Sequence, residues 1–547
     1  MKKYILFTLL LTSLNIFAQV APDYYAVQFT DKNNNGYSLD NPEAFLSQRS
    51  IDRRSRYNID YKISDLPMTA TYVEQVAAIG VEVFSRVKWM NVILIKTTDV
   101  NLLDEIEALP FVESYTKLPN KDLANPSTHQ TFLELEEALV VNERSKANRY
   151  KSAQELEYGE ALDQIELING VPLHEQGFMG QGMVISILDG GFVGADERII
   201  FDSLWDNGRI LGTRDFASED HNVFAGSSHG TKVLSTMGAY WPNKMIGTAP
   251  EASYWLIRTE FTDYEYIIEE YNWVVGAAFA DSVGTDVINS SLGYNVFDDP
   301  NMDHDWDDLD GNTTVVTIGA DMAAEKGILV VNSAGNSGGN SWQYITSPAD
   351  GDSVFTIGAV DYDGNIAYFS SRGLPDDPRV KPNVCAVGSG TVVANPNTDD
   401  ITHSSGTSFS SPTIAGMTAC LWQALQELNN KEIMELIEAS SSQANNPDTD
   451  YGYGIPDYAL AYSVLAIHET EKQTSNVKHY PNPVTHILTI EGISEDATLE
   501  IYNMNGALVK SYALRSNQVD LSNLKSGAYI ARVISKSDLQ SFGFIKQ

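Results

Sequence analysis

Short apolar runs alternate with longer amphipathic stretches through the middle of this chain. Val184–Leu188, Tyr254–Arg258, Asp286–Leu292, Ile328–Asn332 and Val354–Val360 read as brief buried strands, with helical patterns between several of them. Strands lacking a polar face, separated by amphipathic segments, predict a parallel sheet with helices on both faces. In such folds active residues gather just past the carboxyl ends of the strands. From Ser408 onward, Ile414, Met417, Leu421, Leu425 and Leu428 keep helical spacing, so a further helix with one buried face opens at this serine.

The flanks have different patterns. Between 23 and 116, Tyr24–Phe29 is strand-like, Pro42–Arg56 helical and basic, and Val81–Phe84 and Asn91–Lys96 strand-like. Val100–Leu109 reads as a helix and Phe111–Tyr115 as a last strand, an alternation that suits a split-βαβ unit. Residues 117–157 are dense in charge and broken early by Pro119 and Pro126, the character of an exposed linker where proteolysis concentrates. The stretch 473–547 alternates at strand period with turns at Asn505-Gly506 and Ser526-Gly527, which predicts a small β-sandwich. At the start, Met1-Lys2-Lys3, the apolar run Tyr4–Phe17 and a small residue, Ala18, have the form of a cleaved signal peptide. No other apolar stretch approaches the ~18 residues of a membrane span.

Composition changes this picture in three respects. With 73 acidic against 36 basic residues the net charge is −37, which argues against nucleic acid as a partner. Two cysteines, Cys385 and Cys420, cannot form a disulfide framework for 547 residues and are expected to be buried free thiols. Residues 298–311 hold seven aspartates and no Lys or Arg. Clustered carboxylates can hold calcium, but no glutamate closes an EF-hand loop here and a solvated acidic loop explains the run as well. Calcium is left unassigned, and no cofactor is required.

Four motifs carry the candidate chemistry. VISILDGGF (184–192) is a strand ending in Asp189, and SSHGTKVLSTMGA (227–239) sets His229 at a helix start. ILVVNSAGNSGG (328–339) runs into Asn336 within a glycine-rich turn, and SSGTSFSSPTIAG (404–416) delivers Ser408 onto the start of a helix. There Gly406 allows close backbone approach, and Pro412 is expected where a missing N–H costs least. Each residue alone reads more readily as a turn former or helix cap. Jointly they supply a serine nucleophile, a base and an orienting carboxylate in the chain order Asp…His…Ser, the order of the subtilisin type. Asn336 adds a neutral side-chain donor for an oxyanion beside the backbone N–H of Ser408.

With DVINSSLGY (286–294), these motifs make residues 160–465 resemble the subtilisin-like serine proteases of the S8 type. The resemblance implies an Asp189–His229–Ser408 triad with Asn336 in the oxyanion hole. It also implies that Ser291, Leu292 and Gly293 form an edge strand pairing with the substrate peptide, and that Ala334 and Gly335 form a second wall of the specificity pocket near Thr346. Two positions depart from the family pattern: Gly190-Gly191 follows Asp189 where Ser or Thr then Gly is frequent, and Phe409 stands where Met is common. The N-terminal unit, with FLSQRSIDRR (45–54), is similar to propeptides of exported S8 proteases from Bacteroidota, which act as folding aid and inhibitor. The tail, with Tyr480-Pro481-Asn482-Pro483, Leu499–Asn505 and Gly506, Val519-Asp520-Leu521 and Gly527-Ala528-Tyr529, is similar to type IX secretion C-terminal sorting domains.

The resulting expectation is an α/β subtilisin-like peptidase domain at 158–467. It is preceded by a signal peptide (1–18), an α+β propeptide (19–116) and a linker with the maturation site (117–157), and followed by a sorting domain at 473–547. The chain would be a self-processing zymogen of a serine endopeptidase, exported through the periplasm of a Gram-negative bacterium to the surface or medium. Its partners would be protein and peptide substrates, its own propeptide and the type IX machinery. A surface binding or adhesion protein that keeps the scaffold without turnover is the alternative.

Overall fold

The computed structural model describes residues 23–118, 157–218, 221–463, 478–492, 497–503, 508–534 and 539–547. The signal-peptide stretch and most of the linker lie outside them, as does the Asn505-Gly506 turn. Among the described residues no helix is long and apolar enough to cross a membrane.

The N-terminal unit contains β1 (Asp23–Phe29), β2 (Glu82–Val87), β3 (Val92–Thr97) and β4 (Val112–Leu118) in an antiparallel sheet of order β2-β3-β1-β4. Helices Gln48–Tyr57, Ala70–Ala78 and Asn101–Glu107 connect them, giving the split-βαβ arrangement. The helix expected over 42–56 is divided. Pro42–Ala44 is a 3-10 turn, and Ser47, whose hydroxyl accepts the Ser50 N–H, starts a separate helix. Strand β4 continues to Leu118, into the stretch read as linker.

The central sheet has seven parallel strands. In chain order come β5 (Val184–Asp189), β6 (Ile210–Asp215), a two-stranded hairpin of β7 (Tyr240–Trp241) and β8 (Met245–Ile246), then β9 (Ser253–Arg258), β10 (Val287–Ser290), β11 (Leu329–Ser333), β12 (Val354–Val360) and β13 (Val384–Val387), followed by an antiparallel pair of β14 (Thr391–Ala394) and β15 (Ile401–Ser404) outside the sheet. The sheet order is β13-β12-β11-β10-β5-β9-β6. Of the strands read from the sequence, β5, β10, β11 and β12 are buried at every position. The edge strand β6 is only half-buried along most of its length and carries no apolar run to betray it. The run 286–292 pairs as a strand only over Val287–Ser290. Both cysteines are buried free thiols.

Helices Ile268–Val283 and Val315–Glu325 contribute to one core and helices His229–Gly238 and Thr407–Ala424 to the other, with sheet residues in each. The helices that start at His229 and Thr407 pack closely. A methyl on Gly416 would lie 2.1 Å from Thr248 Oγ1 and 3.1 Å from Met237 Cγ, so only glycine permits the approach. The tail forms a β-sandwich of β16 (Lys478–Tyr480), β17 (Ile487–Glu491) and β20 (Gln518–Asp520) against β18 (Ala497–Asn503), β19 (Leu508–Leu514), β21 (Gly527–Ile534) and β22 (Leu539–Lys546).

The N-terminal sheet covers helix Ile268–Val283. Ala26, Val87, Trp89, Val92 and Leu94 join Trp273, Val274, Ala277 and Ala278 in one apolar cluster. Beside it lies a buried charge cluster. Asp281 accepts from Arg53 at 2.5 Å and from Arg54 at 2.8 Å, and Asp65 accepts from Arg54 and Lys326, each at 3.0 Å. Arg49 reaches Asp286 at the rim.

Candidate active site

Asp189 is the last residue of β5, fully buried between β9 and β10. Its Oδ1 accepts the Gly190 N–H at 2.8 Å, and its carbonyl accepts the Thr259 N–H from the end of β9. His229 Nδ1 lies 3.0 and 2.9 Å from the two carboxylate oxygens. A carboxylate can only accept, so Nδ1–H donates and Nε2 is the basic nitrogen.

The approach of His229 depends on Gly191 and Gly230. Gly191 has φ 146, and a Cβ there would lie 2.3 Å from the Ala225 carbonyl; one on Gly230 would lie 2.5 Å from the Gly191 carbonyl. Glycine at both positions lets the turn after Asp189 sit directly against the helix opened by His229. Phe409 has a role of the same kind: its ring lies 5.7 Å from the imidazole, centroid to centroid, and packs the Ser408 helix onto His229.

Ser408 is the second residue of helix Thr407–Ala424, after Gly406 at the N-cap. Pro412 lies deeper in this helix than the sequence suggested. Its N–H would belong to the Ser408 carbonyl one turn back; with none available, that carbonyl accepts the Ser291 hydroxyl at 2.9 Å. Ser408 Oγ in turn donates to the Ser291 carbonyl at 3.3 Å. Proline thus frees a helix carbonyl that fastens the Ser408 helix to the 291–293 segment.

Asn336 sits in the turn after β11. Its Oδ1 accepts the Thr407 N–H at 2.9 Å and the Thr407 hydroxyl at 3.0 Å, while Thr407 Oγ1 accepts the Gly335 N–H at 3.2 Å. With the carbonyl end committed to Thr407, the amide orientation is set and Nδ2 is directed away as donor. Ala334 donates its N–H to Ile357 in β12. Ser291, Leu292 and Gly293 follow β10 without strand pairing and are buried, and the Leu292 carbonyl accepts Asn332 Nδ2 at 3.0 Å. Thr346 is also buried, and a Cβ on Gly335 would lie 3.2 Å from its Oγ1.

Sequence reasoning passed over several residues that hold this arrangement. Thr407 orients Asn336. Asn289, a polar residue within a fully buried strand, accepts the Ser411 hydroxyl at 3.1 Å and donates to Ser291 Oγ at 3.1 Å. Its polarity at an all-buried position was the available signal. Glu260, just past β9, accepts the Tyr294 hydroxyl at 2.7 Å. Burial, reinforced by the charge of Asp189, pushes its carboxyl up to about 8 against the hydrogen bonds from Thr259 and Tyr294.

Asp189 and Asn336 thus stand at and just past the carboxyl ends of β5 and β11, and His229 and Ser408 at the starts of two helices. The subtilase family model matches residues 180–454, half of the chain. The chain belongs to the subtilase family. Ahead of this domain, residues 24–132 match the peptidase S8 propeptide domain of Bacteroidota, and residues 478–547 match the secretion system C-terminal sorting domain, the tail of type IX export. This subtilase is 29% identical to subtilisin DY of Bacillus licheniformis over 308 residues, 55% of this chain and 96% of that protein. It is 29% identical to subtilisin E of Bacillus subtilis (strain 168) over 325 residues, 58% of this chain and 73% of that protein. Its fold is similar to that of fervidolysin from Fervidobacterium pennivorans, described as a keratinolytic enzyme related to subtilisin. The TM-score is 0.55 at 18% identity, covering 96% of this chain and 76% of that one. The chain is a serine endopeptidase with a propeptide and a secretion tail, directed to the cell surface or the medium.

Proposed function

We propose that this subtilase hydrolyses peptide bonds by acyl transfer through Ser408 and is made as a precursor that cuts itself. The observation that carries this reading is the contact of His229 Nδ1 with both oxygens of buried Asp189, at the edge where the Ser408 helix begins. In this reading the substrate lies along Ser291–Gly293 and Ala334–Gly335. His229 Nε2 takes the Ser408 proton as Oγ attacks the carbonyl, and Asp189 stabilises the imidazolium. Asn336 Nδ2 and the Ser408 N–H hold the oxyanion, the second helped by the free N–H groups of the helix start. His229 then gives its proton to the leaving amine, and water repeats the cycle on the acyl-enzyme.

The docked N-terminal domain supports the precursor reading, and Ser408 has no exposed surface in the full chain. A first cut in 117–157 would separate the domains after export through the periplasm of a Gram-negative cell. The test is a serine-directed fluorophosphonate probe on the processed protein, together with the fate of the Ser408→Ala chain. Wild type should be labelled and yield a separate mature enzyme, whereas Ser408→Ala should stay unlabelled and keep residues 19–116 attached. Processing of the variant at the same bond and rate would show that another enzyme does the cutting. An unlabelled, folded wild type would favour a binding protein on a protease scaffold.

A further inference from the structure

Strand β10 stands between β5 and β11 with both faces covered, so its polar side chains must find partners inside the protein. Side chains alternate along a strand. Ser290 faces the helix Ile268–Val283, where its Oγ accepts the Trp273 Nε1–H at 2.9 Å. Asn289 faces the other way, toward the helix Thr407–Ala424. It has no exposed surface, and both ends of its amide are used. Oδ1 accepts the Ser411 hydroxyl and Nδ2 donates to Ser291 Oγ, each at 3.1 Å. Ser291 Oγ then donates to the Ser408 carbonyl at 2.9 Å, and Ser408 Oγ returns a bond to the Ser291 carbonyl at 3.3 Å.

The direction of this chain follows from counting protons. A serine hydroxyl has one to give. With the Asn289 amide donating to it, Ser291 Oγ gives its own proton elsewhere, and the Ser408 carbonyl, to which Pro412 offers no N–H, receives it. Turned about, the Asn289 amide would present its oxygen to Ser291 and compete for that proton. Ser411 does not choose between the two orientations, because its hydroxyl can donate or accept. The choice is made at the Ser408 end.

We infer that Asn289 is a positioning residue for the hydrolysis proposed above. By keeping Ser291 Oγ an acceptor on one side, it commits the hydroxyl proton to the Ser408 carbonyl and fixes the first turn of that helix against the 291–293 segment. Asn289 acts through Ser291 and touches none of the reacting atoms. What it sets is the spacing between Ser408 and a peptide lying along 291–293. A misplacement of ~1 Å between reacting groups costs about a hundredfold in rate, so loosening this spacing shows in kcat. Binding along the main chain of 291–293 is left as it was.

The inference rests on Ser408 being the nucleophile, and one arm of the test is independent of that. In the full chain carrying Ser408→Ala, which keeps the carbonyl at 408, thermal melting is followed for Asn289→Leu, Ser291→Ala and the two together. Leucine repeats the branched shape of asparagine without its polar atoms. The pair should destabilise no more than the larger single change, as residues of one network do. The processed enzyme with Ser408 intact then gives kcat and KM on a peptide. Each single variant should lower kcat about two- to tenfold, the worth of one hydrogen bond, with KM little changed and no further loss in the pair. Pro412→Ala restores an N–H one turn beyond Ser408, so in that background Ser291→Ala should cost less than in wild type. Thr418→Val removes a buried hydroxyl of the same helix, at its bond to Tyr458, and should leave kcat unchanged. Additive melting effects, a change confined to KM, or an equal cost of Ser291→Ala with and without Pro412 overturns the inference. Should Asn289→Leu fail to fold, Asn289→Ala takes its place, and the Ser291–Pro412 comparison still decides. A wild type that folds but hydrolyses nothing overturns the catalytic reading and the positioning role with it, while the melting cycle reports the relay separately.

Discussion

Replacing Asp281 with asparagine should loosen the N-terminal domain from the peptidase domain by orders of magnitude. Asp281 belongs to the peptidase domain, while its partners Arg53 and Arg54 come from the helix containing RSIDRR, and none of the three side chains is more than 3% exposed. Within this cluster Arg53, Arg54 and Lys326 face Asp281 and Asp65; without Asp281, three buried cations share one carboxylate. Removing one partner of a buried pair costs about 3–5 kcal/mol. At ~1.4 kcal/mol per tenfold this is roughly two to four powers of ten in affinity. The cost falls on the complex, because the same side chains are hydrated once the domains part. The assay takes the Ser408→Ala chain, cuts it within 117–157 with an added protease, and follows dissociation of the N-terminal domain by size exclusion. Glu325→Gln is the control, since the Lys62–Glu325 pair spans the same interface at 2.7 Å but is 57 and 52% exposed. Exposed pairs contribute about 0–1 kcal/mol, so that variant should change release less than about fivefold. Equal effects of the two substitutions would refute the argument from burial. The contact should also tolerate mild acid. Burial raises the Asp65 carboxyl, but Lys326 and Arg54 outweigh it and hold it below its ordinary value of 3.8. A carboxyl depressed in this way contributes fully above that ordinary value, and its share is lost as pH falls through the lower one. Release in the same assay should therefore stay slow until below pH 3.8 as far as Asp65 governs it.

Asn336→Ala should lower kcat by about a hundred- to a thousandfold with KM little changed, because its amide would donate only to the developing oxyanion; a loss confined to KM would refute that role. Cleavage should favour apolar or aromatic P1 residues. No carboxylate lies in 290–293 or 334–336, Asp350 is buried against Gly311 and Thr317, and Asp352 pairs with Arg379. Predominant cutting after Lys or Arg in a peptide library would contradict this. Truncation near residue 470 should leave peptidase activity in the purified protein while abolishing export from the native cell. The tail does contribute Ile545 to the peptidase core cluster, so a modest fall in melting temperature is expected with it, but lost activity would assign the tail a structural role.

The local sequence determined the residue types and the backbone settings of the candidate site. A buried strand ends at Asp189, and a helix opens where the glycine turn delivers Ser408. Each of these follows from neighbours within a few positions, so each was legible in the chain. The subtilase, propeptide and tail signatures were legible for the same reason, as short motifs. What the tertiary structure decided are pairings between residues far apart in the chain, which no local periodicity encodes. Pro412 looked harmless near a helix start, yet its missing N–H acquires meaning only because Ser291, 117 residues from Ser408, takes up the vacant carbonyl. Thr407 became the residue that turns Asn336, across 71 positions. The helix at 48–57 was legible as basic, but that Asp281 and Asp65 close around it was not. The acidic run at 298–311 stood out because it is contiguous, whereas Glu260, Glu265 and Glu269 are spaced through an aromatic stretch and meet only when the 261–266 segment wraps around the Glu269 carboxylate. Burial turns a charge from a solvated ornament into a constraint, and burial is a property of the folded chain.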